Sequence, residues 1–94
     1  SQVSDYFIDN IQDRTVHGVV KDESGTPLEG ATVMFFASPM HCTTNAKGEY
    51  SIKGGERDTM LYVYYPGKEI QKKSIQFDEL NVDITLSGLK ERKC

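Results

Sequence analysis

The chain has 94 residues, of which 37% are apolar, and its 11 Lys and Arg against 14 Asp and Glu give a formal charge of -3. A chain of this length supports one small domain with a single core. The acidic balance lacks the basic footprint that phosphate neutralisation demands, so we expect no nucleic acid partner. The longest apolar runs, 33–37 and 60–66, are far shorter than the roughly 20 residues of a membrane helix. Direct membrane insertion is therefore not expected.

Charge divides the chain into three parts. Residues 1–13 hold three acids and no base and are predicted to be a mobile N-terminal tail or linker; the alternatives are docking on the domain and one helical turn. Its short apolar patch consists of Tyr6, Phe7, Ile8 and Ile11. Residues 14–86 are the predicted domain, and residues 87–94, which hold three bases and one acid, are a predicted C-terminal linker. The chain begins with Ser1 and has no signal segment, which suggests a piece of something longer.

From Thr15 onward, runs of β-forming residues alternate with Gly, Pro, Asn and Asp clusters, as in a small all-β domain. Seven strands are predicted, at residues 15–21, 31–37, 42–45, 49–53, 59–65, 68–77 and 81–86. A turn over Asn45 to Gly48, with Gly48 in the left-handed region, predicts a tight hairpin between the third and fourth strands. Lys72 and Lys73 in the sixth strand indicate that it lies at a sheet edge.

Seven short strands with one apolar face each bury those faces most economically in two packed sheets. The predicted fold class is all-β, a seven-stranded antiparallel β-sandwich. Alternation places the following residues on the inner faces: Val16, Gly18, Val20, Ala31, Val33, Phe35, Tyr50, Ile52, Leu61, Val63, Tyr65, Val82, Ile84 and Leu86. Since the chain has no Trp, it lacks the Cys, Trp, Cys pattern of antibody domains.

The same alternation sends every other residue of the second and fifth strands outward. The outward residues are Met34, Phe36, Met60, Tyr62 and Tyr64. Tyr and Met are favoured at interfaces, and a contiguous patch of them is unusual on a free monomer. We therefore interpret these five residues as a candidate face for docking a partner. Two alternatives stay open: residues 1–13 or a neighbouring strand cover the patch, or its tyrosines stack on sugars as in carbohydrate-binding modules.

Few residues have the pattern of a catalytic or metal site. Cys42 lies beside His41, but a thiolate nucleophile also needs an orienting group and an oxyanion pocket. An ordinary half-buried thiol is the favoured interpretation, and a bond between Cys42 and Cys94 has only weak support. Neither the cysteines nor the acids in the turns have the spacing of metal ligands. The sequence thus predicts no catalytic, metal-binding or cofactor-binding residue.

Four spaced motifs cover most of the predicted domain. They are Val16-x-Gly18-x-Val20-x-Asp22-x-x-Gly25-x-Pro27-Leu28-x-Gly30-Ala31-x-Val33, Thr43-Thr44-Asn45-x-x-Gly48-x-Tyr50-x-Ile52, Leu61-x-Val63-x-Tyr65-x-Gly67 and Val82-x-Ile84-x-Leu86. Together they resemble the carboxypeptidase regulatory-like domain. This resemblance implies a transthyretin-like, or prealbumin-like, seven-stranded β-sandwich without peptidase activity.

The resemblance also implies a biological context. Similar domains are abundant in Bacteroidetes, where they commonly precede the plug and barrel of TonB-dependent, SusC-like outer-membrane transporters or are attached to other envelope proteins. We therefore expect a non-catalytic accessory or interaction domain that is extracytoplasmic, periplasmic and associated with the outer membrane. Its expected partners are envelope proteins or the remainder of a larger polypeptide. The alternative is a stand-alone extracytoplasmic binding module for a glycan or peptide.

Two other sandwich families fit the sequence less well. Hydroxyisourate hydrolases share the transthyretin-like fold but use histidines and an arginine, and His17 and His41 have no matching context here. Surface domains of the Cna-B type carry a Lys to Asn isopeptide bond, for which Lys21 and Asn81 lie near the first and last strands. Because Lys21 is predicted to face outward, an ordinary exposed lysine is favoured.

Overall fold

A computed structural model describes residues 13–89 of the protein. Seven strands follow one another in this part of the chain: β1 (Arg14–Asp22), β2 (Thr32–Phe35), β3 (His41–Thr43), β4 (Glu49–Gly54), β5 (Met60–Tyr64), β6 (Gln71–Ser74) and β7 (Ile84–Leu86). The predicted all-β class is confirmed. No helix in residues 13–89 has the length and hydropathy needed to cross a membrane. The tail prediction for residues 1–12, and the linker prediction from residue 90 onward, lie outside the described residues.

The strands form two sheets that pack face to face as a β-sandwich. One sheet has three strands in the order β4-β1-β7, and the other has four in the order β3-β2-β5-β6. Every second residue of β2, β4 and β5 is buried and the residues between them are exposed or partly exposed, which sends one face of each sheet into the core. The core contains Val16, Val20, Leu28, Ala31, Val33, Phe35, Tyr50, Ile52, Leu61, Val63, Ile75, Val82, Ile84 and Leu86. Tyr65, predicted to be inside, is partly buried against this cluster.

The predicted fully antiparallel arrangement is wrong at one strand pair. Strands β1 and β7 run parallel, with Val20 opposite Ile84 and Asp22 opposite Leu86, whereas the other four strand pairs of the described chain are antiparallel. A parallel pair needs a long crossover connection. The chain between β1 and β7 provides this connection, because it contains the five strands β2 to β6, most of which belong to the other sheet.

The predicted hairpin between the third and fourth strands is also wrong, since β3 and β4 belong to different sheets. The turn itself is as predicted: Gly48 has a φ of 76° and donates its N–H to the Asn45 carbonyl. The strands diverge because Thr44 is held by the four-stranded sheet through Ala31, while the Gly48 carbonyl accepts a hydrogen bond from Val20 of β1. The turn therefore carries the chain from one sheet to the other.

Several strands are shorter than predicted. Strand β2 ends at Phe35 because a turn follows it, and β6 is confined to Gln71–Ser74. β7 starts at Ile84, since Asn81 forms only an isolated bridge with His17. The predicted edge position of the sixth strand is confirmed, because β6 has β5 as its neighbour on one side only.

Candidate functional site

The outward residues of β2 and β5, together with Phe36 directly after β2, form a continuous surface, which we call the Tyr–Met face: Met34, Phe36, Met60, Tyr62 and Tyr64. The antiparallel register of the two strands brings them together, since Met34 lies opposite Tyr62 and the Phe36 N–H donates to the Met60 carbonyl. Directly opposed residues on one face of an antiparallel pair have Cβ atoms about 4.5–5.5 Å apart. The structure thus places all five predicted residues on one side of the four-stranded sheet, away from the core.

Two aromatic rings of the Tyr–Met face stack on one another. The Phe36 and Tyr62 ring centroids are 5.3 Å apart and the ring planes differ by 19°, and such offset stacks contribute about 0.5–1.5 kcal/mol beyond area burial. Phe36 is nevertheless 71% exposed, and Tyr64 is 48% exposed. Met60 and Tyr62 are only partly exposed, so the face has a half-buried centre and exposed aromatic side chains at its rim.

One lysine, Lys72, borders the Tyr–Met face at the sheet edge. The Lys72 Nζ atom lies 5.8 Å from the centroid of the Tyr62 ring, within the range of a cation–π interaction worth about 0.5–1 kcal/mol at an exposed site. On the far side, His41 lies opposite Met34. The cross-strand row His41, Met34, Tyr62 and Lys72 contains no carboxylate, so the apolar centre of the face has one positive charge at its β6 edge.

Two further apolar side chains extend this surface, and the sequence analysis did not single them out. Met40, just before β3, is 44% exposed, and Ile70, just before β6, is 55% exposed. Both lie immediately outside the strands, where alternation no longer fixes the direction of a side chain. The available sequence signal was their position at the ends of strands that flank β2 and β5.

The three-stranded sheet carries a polar groove, and two of its polar side chains, Tyr50 and Asp83, bond the backbone of the fold. The groove has a volume of about 410 Å³ and includes His17, Glu49, Tyr50 and Asp83 in its lining. The Tyr50 hydroxyl donates to the Val82 carbonyl over 2.6 Å, and an Asp83 carboxylate oxygen accepts the Val19 N–H. Burial raises the pKa of the Tyr50 hydroxyl far above its ordinary value, which makes this group a neutral structural donor.

Cys42 has the environment of an unreactive thiol. It is a free, partly buried cysteine, and burial raises the pKa of the thiol although the Ser51 backbone N–H opposes the shift. Because the thiolate is the nucleophile, a raised pKa lowers reactivity. The neighbouring His41 alternates to the other side of β3, where its Nδ1 atom lies 3.2 Å from the Pro39 carbonyl oxygen. Cys94 lies outside the described residues.

The isopeptide pair considered from the sequence is not brought together. Lys21 lies opposite Thr85 in the parallel ladder, and its side chain is exposed. Asn81 lies opposite His17 instead. Positions 17 and 21 of β1 are four residues apart, which corresponds to about 13 Å along a strand.

Within the part of the chain that the structure describes, no three His, Cys, Asp or Glu side chains are grouped so that they could hold a metal ion.

Arg14 is a buried cation that the sequence analysis missed. It is 9% exposed, and its guanidinium donates to the carbonyls of Gly55 (2.6 Å), Asp58 (2.7 Å) and Phe77 (3.1 Å). It also lies 4.7 Å from the Phe77 ring centroid. Inward-facing residues alternate along β1, so the inward position before Val16 is residue 14. This alternation predicts that Arg14 is buried. Arg14 ties the first strand to two distant turns and therefore has a structural role.

The fold and this surface define a class: a small β-sandwich domain that displays an aromatic and methionine-rich face. A family model described as the carboxypeptidase regulatory-like domain matches residues 15–87, so the chain belongs to that family and the predicted resemblance is confirmed. Domains of this family are non-catalytic. A comparison with curated proteins finds no match.

Proposed function

We propose that this chain is a non-catalytic interaction domain of a bacterial cell-envelope protein and that it docks to its partner through the Tyr–Met face. Support comes from a single observation, the exposed aromatic and methionine side chains on a domain whose family is non-catalytic. Interface cores are enriched in Tyr, Phe and Met. Anchors of this kind carry most of the binding energy when a partner buries them.

The proposed context is the N-terminal extension of a TonB-dependent, SusC-like nutrient transporter, with the domain in the periplasm beside the outer membrane. In that setting the partner is another envelope protein or the remainder of the same polypeptide. An antibody against the domain, used on separated membrane fractions, tests this context. A band far larger than 10.6 kDa in the outer-membrane fraction is expected, whereas a small soluble band would contradict the transporter context.

Docking through the face is tested with a surface variant, Phe36→Ser combined with Tyr62→Ser. A photo-crosslinking amino acid at position 64 should give discrete adducts in the native envelope, and the double substitution should abolish them while the domain stays folded. Leu80→Ser combined with Leu89→Ser is the matched control, because Leu80 is 44% and Leu89 is 65% exposed outside the Tyr–Met face. Adducts that survive the face variant would refute this docking mode.

A second candidate function is a stand-alone binding module for a glycan or peptide. The exposed Phe36 ring and the half-exposed Tyr64 ring favour it, since aromatic faces pack on sugar rings and keep a polar tip in water. Isothermal titration with host and plant glycans is the test. Saturable heat that disappears in Tyr64→Ser is expected for a glycan module, and the absence of heat across the panel would reject it.

A further inference from the structure

One edge of the four-stranded sheet is open along β6. This strand has β5 on one side and no strand of the described chain on the other. The chain after β7 covers the edge only ahead of β6, where the Glu69 N–H donates to the Ser87 carbonyl over 2.8 Å and Lys68 forms an isolated bridge with Gly88. Residues 71–74 therefore form an edge of four residues without a neighbouring strand among residues 13–89.

The ladder between β5 and β6 determines which backbone groups face this open edge. The Ile75 N–H donates to the Thr59 carbonyl over 2.8 Å, so residue 75 faces β5. Backbone groups along an antiparallel ladder alternate between facing the partner strand and facing away from it. Residues 71 and 73 therefore also face β5. The N–H and carbonyl groups of Lys72 and Ser74 point into the open edge, where an added strand can reach them.

The open edge carries two positive charges on opposite faces of the sheet. Lys72 is exposed on the side of the Tyr–Met face, where its Nζ atom lies 5.8 Å from the Tyr62 ring centroid. Lys73 alternates to the other side and is half-buried. Residues 71–74 contain no acid. Because neighbouring residues of a strand also point to opposite faces, two adjacent acidic residues of an added strand match both lysines.

A second copy of β6 does not suit this edge. Only Lys72 and Ser74 offer outward backbone groups, so the antiparallel registers with the largest overlap place either Lys72 or Lys73 directly opposite the same residue of the other copy. Like charges directly opposite each other destabilise strand pairing, and edge lysines protect sheets from such association. An acidic strand turns this repulsion into attraction, so the two lysines favour an acidic partner over a second copy.

We propose that the open edge of β6 binds an extended acidic segment of a partner protein by antiparallel strand addition. The segment exchanges backbone hydrogen bonds with Lys72 and Ser74, and two adjacent acidic residues lie opposite Lys72 and Lys73. Strand addition takes its affinity from main-chain hydrogen bonds and its specificity from alternate side chains. This inference goes beyond the proposed function, because it concerns the sheet edge and does not require docking through the Tyr–Met face.

The probe is a peptide with blocked ends and the sequence Val-Thr-Glu-Glu-Thr, whose first Glu lies opposite Lys73 and whose second Glu lies opposite Lys72. At millimolar concentration it should slow the exchange of the Lys72 and Ser74 amide protons with water several-fold, as measured by NMR on the isotope-labelled full chain. The amide protons of Gln71 and Lys73 already face β5 and should change much less. Unchanged exchange at Lys72 and Ser74 would overturn the proposal.

Two control peptides separate strand addition from charge attraction alone. N-methylation of the second Glu keeps both negative charges but removes the N–H that faces the Lys72 carbonyl, so the slowing should disappear. Replacing both Glu residues by Lys keeps the backbone but repels the edge, and the slowing should disappear here too. Slowing that survives N-methylation would contradict strand addition, and slowing by the Lys peptide would contradict selection by charge.

Variants of the protein test the same two contributions. Ser74→Pro removes an N–H that points outward, which an edge strand tolerates, so circular dichroism should be unchanged while the peptide no longer slows exchange at Lys72. Ser74→Ala is the matched control and should respond like the wild type. Lys72→Glu combined with Lys73→Glu should bind the Lys peptide and not the Glu peptide. Lys47→Glu combined with Lys53→Glu, both exposed away from β6, should keep the wild-type preference. Wild-type binding of the Glu peptide by Ser74→Pro or by the Lys72 and Lys73 variant would refute the inference.

These outcomes are separable from those of the proposed function. If the peptide leaves exchange unchanged but the crosslinks at position 64 disappear in the face variant, strand addition is wrong and docking through the Tyr–Met face stands. If the peptide slows exchange as expected but the position-64 adducts survive the face variant, strand addition stands and docking through the face is wrong.

Discussion

Removing the Arg14 side chain tests whether this buried cation holds the start of β1 in place. Arg14→Met keeps an unbranched apolar stem but lacks the guanidinium, which removes all three hydrogen bonds to the carbonyls of Gly55, Asp58 and Phe77. A hydrogen bond to a charged group contributes about 1.5–3 kcal/mol. The Gly55 and Phe77 bonds are only partly buried, so water replaces part of their energy. We expect a loss of about 3–4 kcal/mol in the free energy of unfolding.

That loss is large for a domain of this size. Stability of about 0.05–0.15 kcal/mol per residue gives about 5–14 kcal/mol for the chain. At about 4–8 °C per kcal/mol, Tm should fall by about 12–30 °C. Arg14→Lys keeps the charge but cannot reach three carbonyls with one ammonium group in the same geometry, so its stability should lie between those of the wild type and Arg14→Met.

Urea unfolding followed by circular dichroism measures these differences directly. Arg57→Met is the matched control, because Arg57 lies exposed in a turn and its loss should change stability by less than about 0.5 kcal/mol. The reasoning is refuted if Arg14→Met is as stable as Arg57→Met, or if Arg14→Lys is less stable than Arg14→Met.

Three further predictions concern buried groups. Tyr50→Phe leaves the Val82 carbonyl without its donor and should cost about 1–3 kcal/mol in urea unfolding. The folded-state pKa of Tyr50 is raised above the ordinary value of 10.0. Its contribution to the free energy of unfolding should therefore be fully present below about pH 10 and fall as pH rises further. This loss of stability at alkaline pH, followed by the absorbance of ionised tyrosine, should be smaller in Tyr50→Phe. In Gly18→Ala the new Cβ would overlap the backbone of Val82, so unfolding should become easier by at least about 1–3 kcal/mol, whereas Gly88→Ala, which meets no neighbouring atom, should have little effect by the same assay. Thr44→Val removes a buried hydroxyl that bonds two backbone groups and should cost about 1–3 kcal/mol in thermal unfolding.

The sequence was most informative where one local pattern decides the result. Alternation in β2 and β5 correctly placed Val33 and Leu61 inside and Met34 and Tyr62 outside, because a strand sends successive side chains to opposite faces. Turn chemistry was equally predictable at Gly48, whose positive φ is a conformation that glycine adopts at low cost.

The errors arose where distant residues decide the pairing. Sequence proximity favoured a hairpin between β3 and β4, yet the Thr44 hydroxyl bonds the Leu28 carbonyl and the Ala31 N–H, which holds that strand to the other sheet. The parallel pairing of β1 with β7 likewise joins residues more than sixty positions apart. No window of neighbouring residues contains these contacts, so hydrophobic periodicity cannot reveal them.

In the candidate site, too, the direction of side chains could be predicted from neighbouring residues, whereas contacts between strands could not. Orientation of the Tyr–Met face followed from alternation, but the stack of Phe36 on Tyr62 and the approach of Lys72 depend on the register between strands. Met40 was missed because residues outside a strand follow no fixed alternation, and Ile70 was missed because the predicted sixth strand, 68–77, was not divided into inward and outward residues.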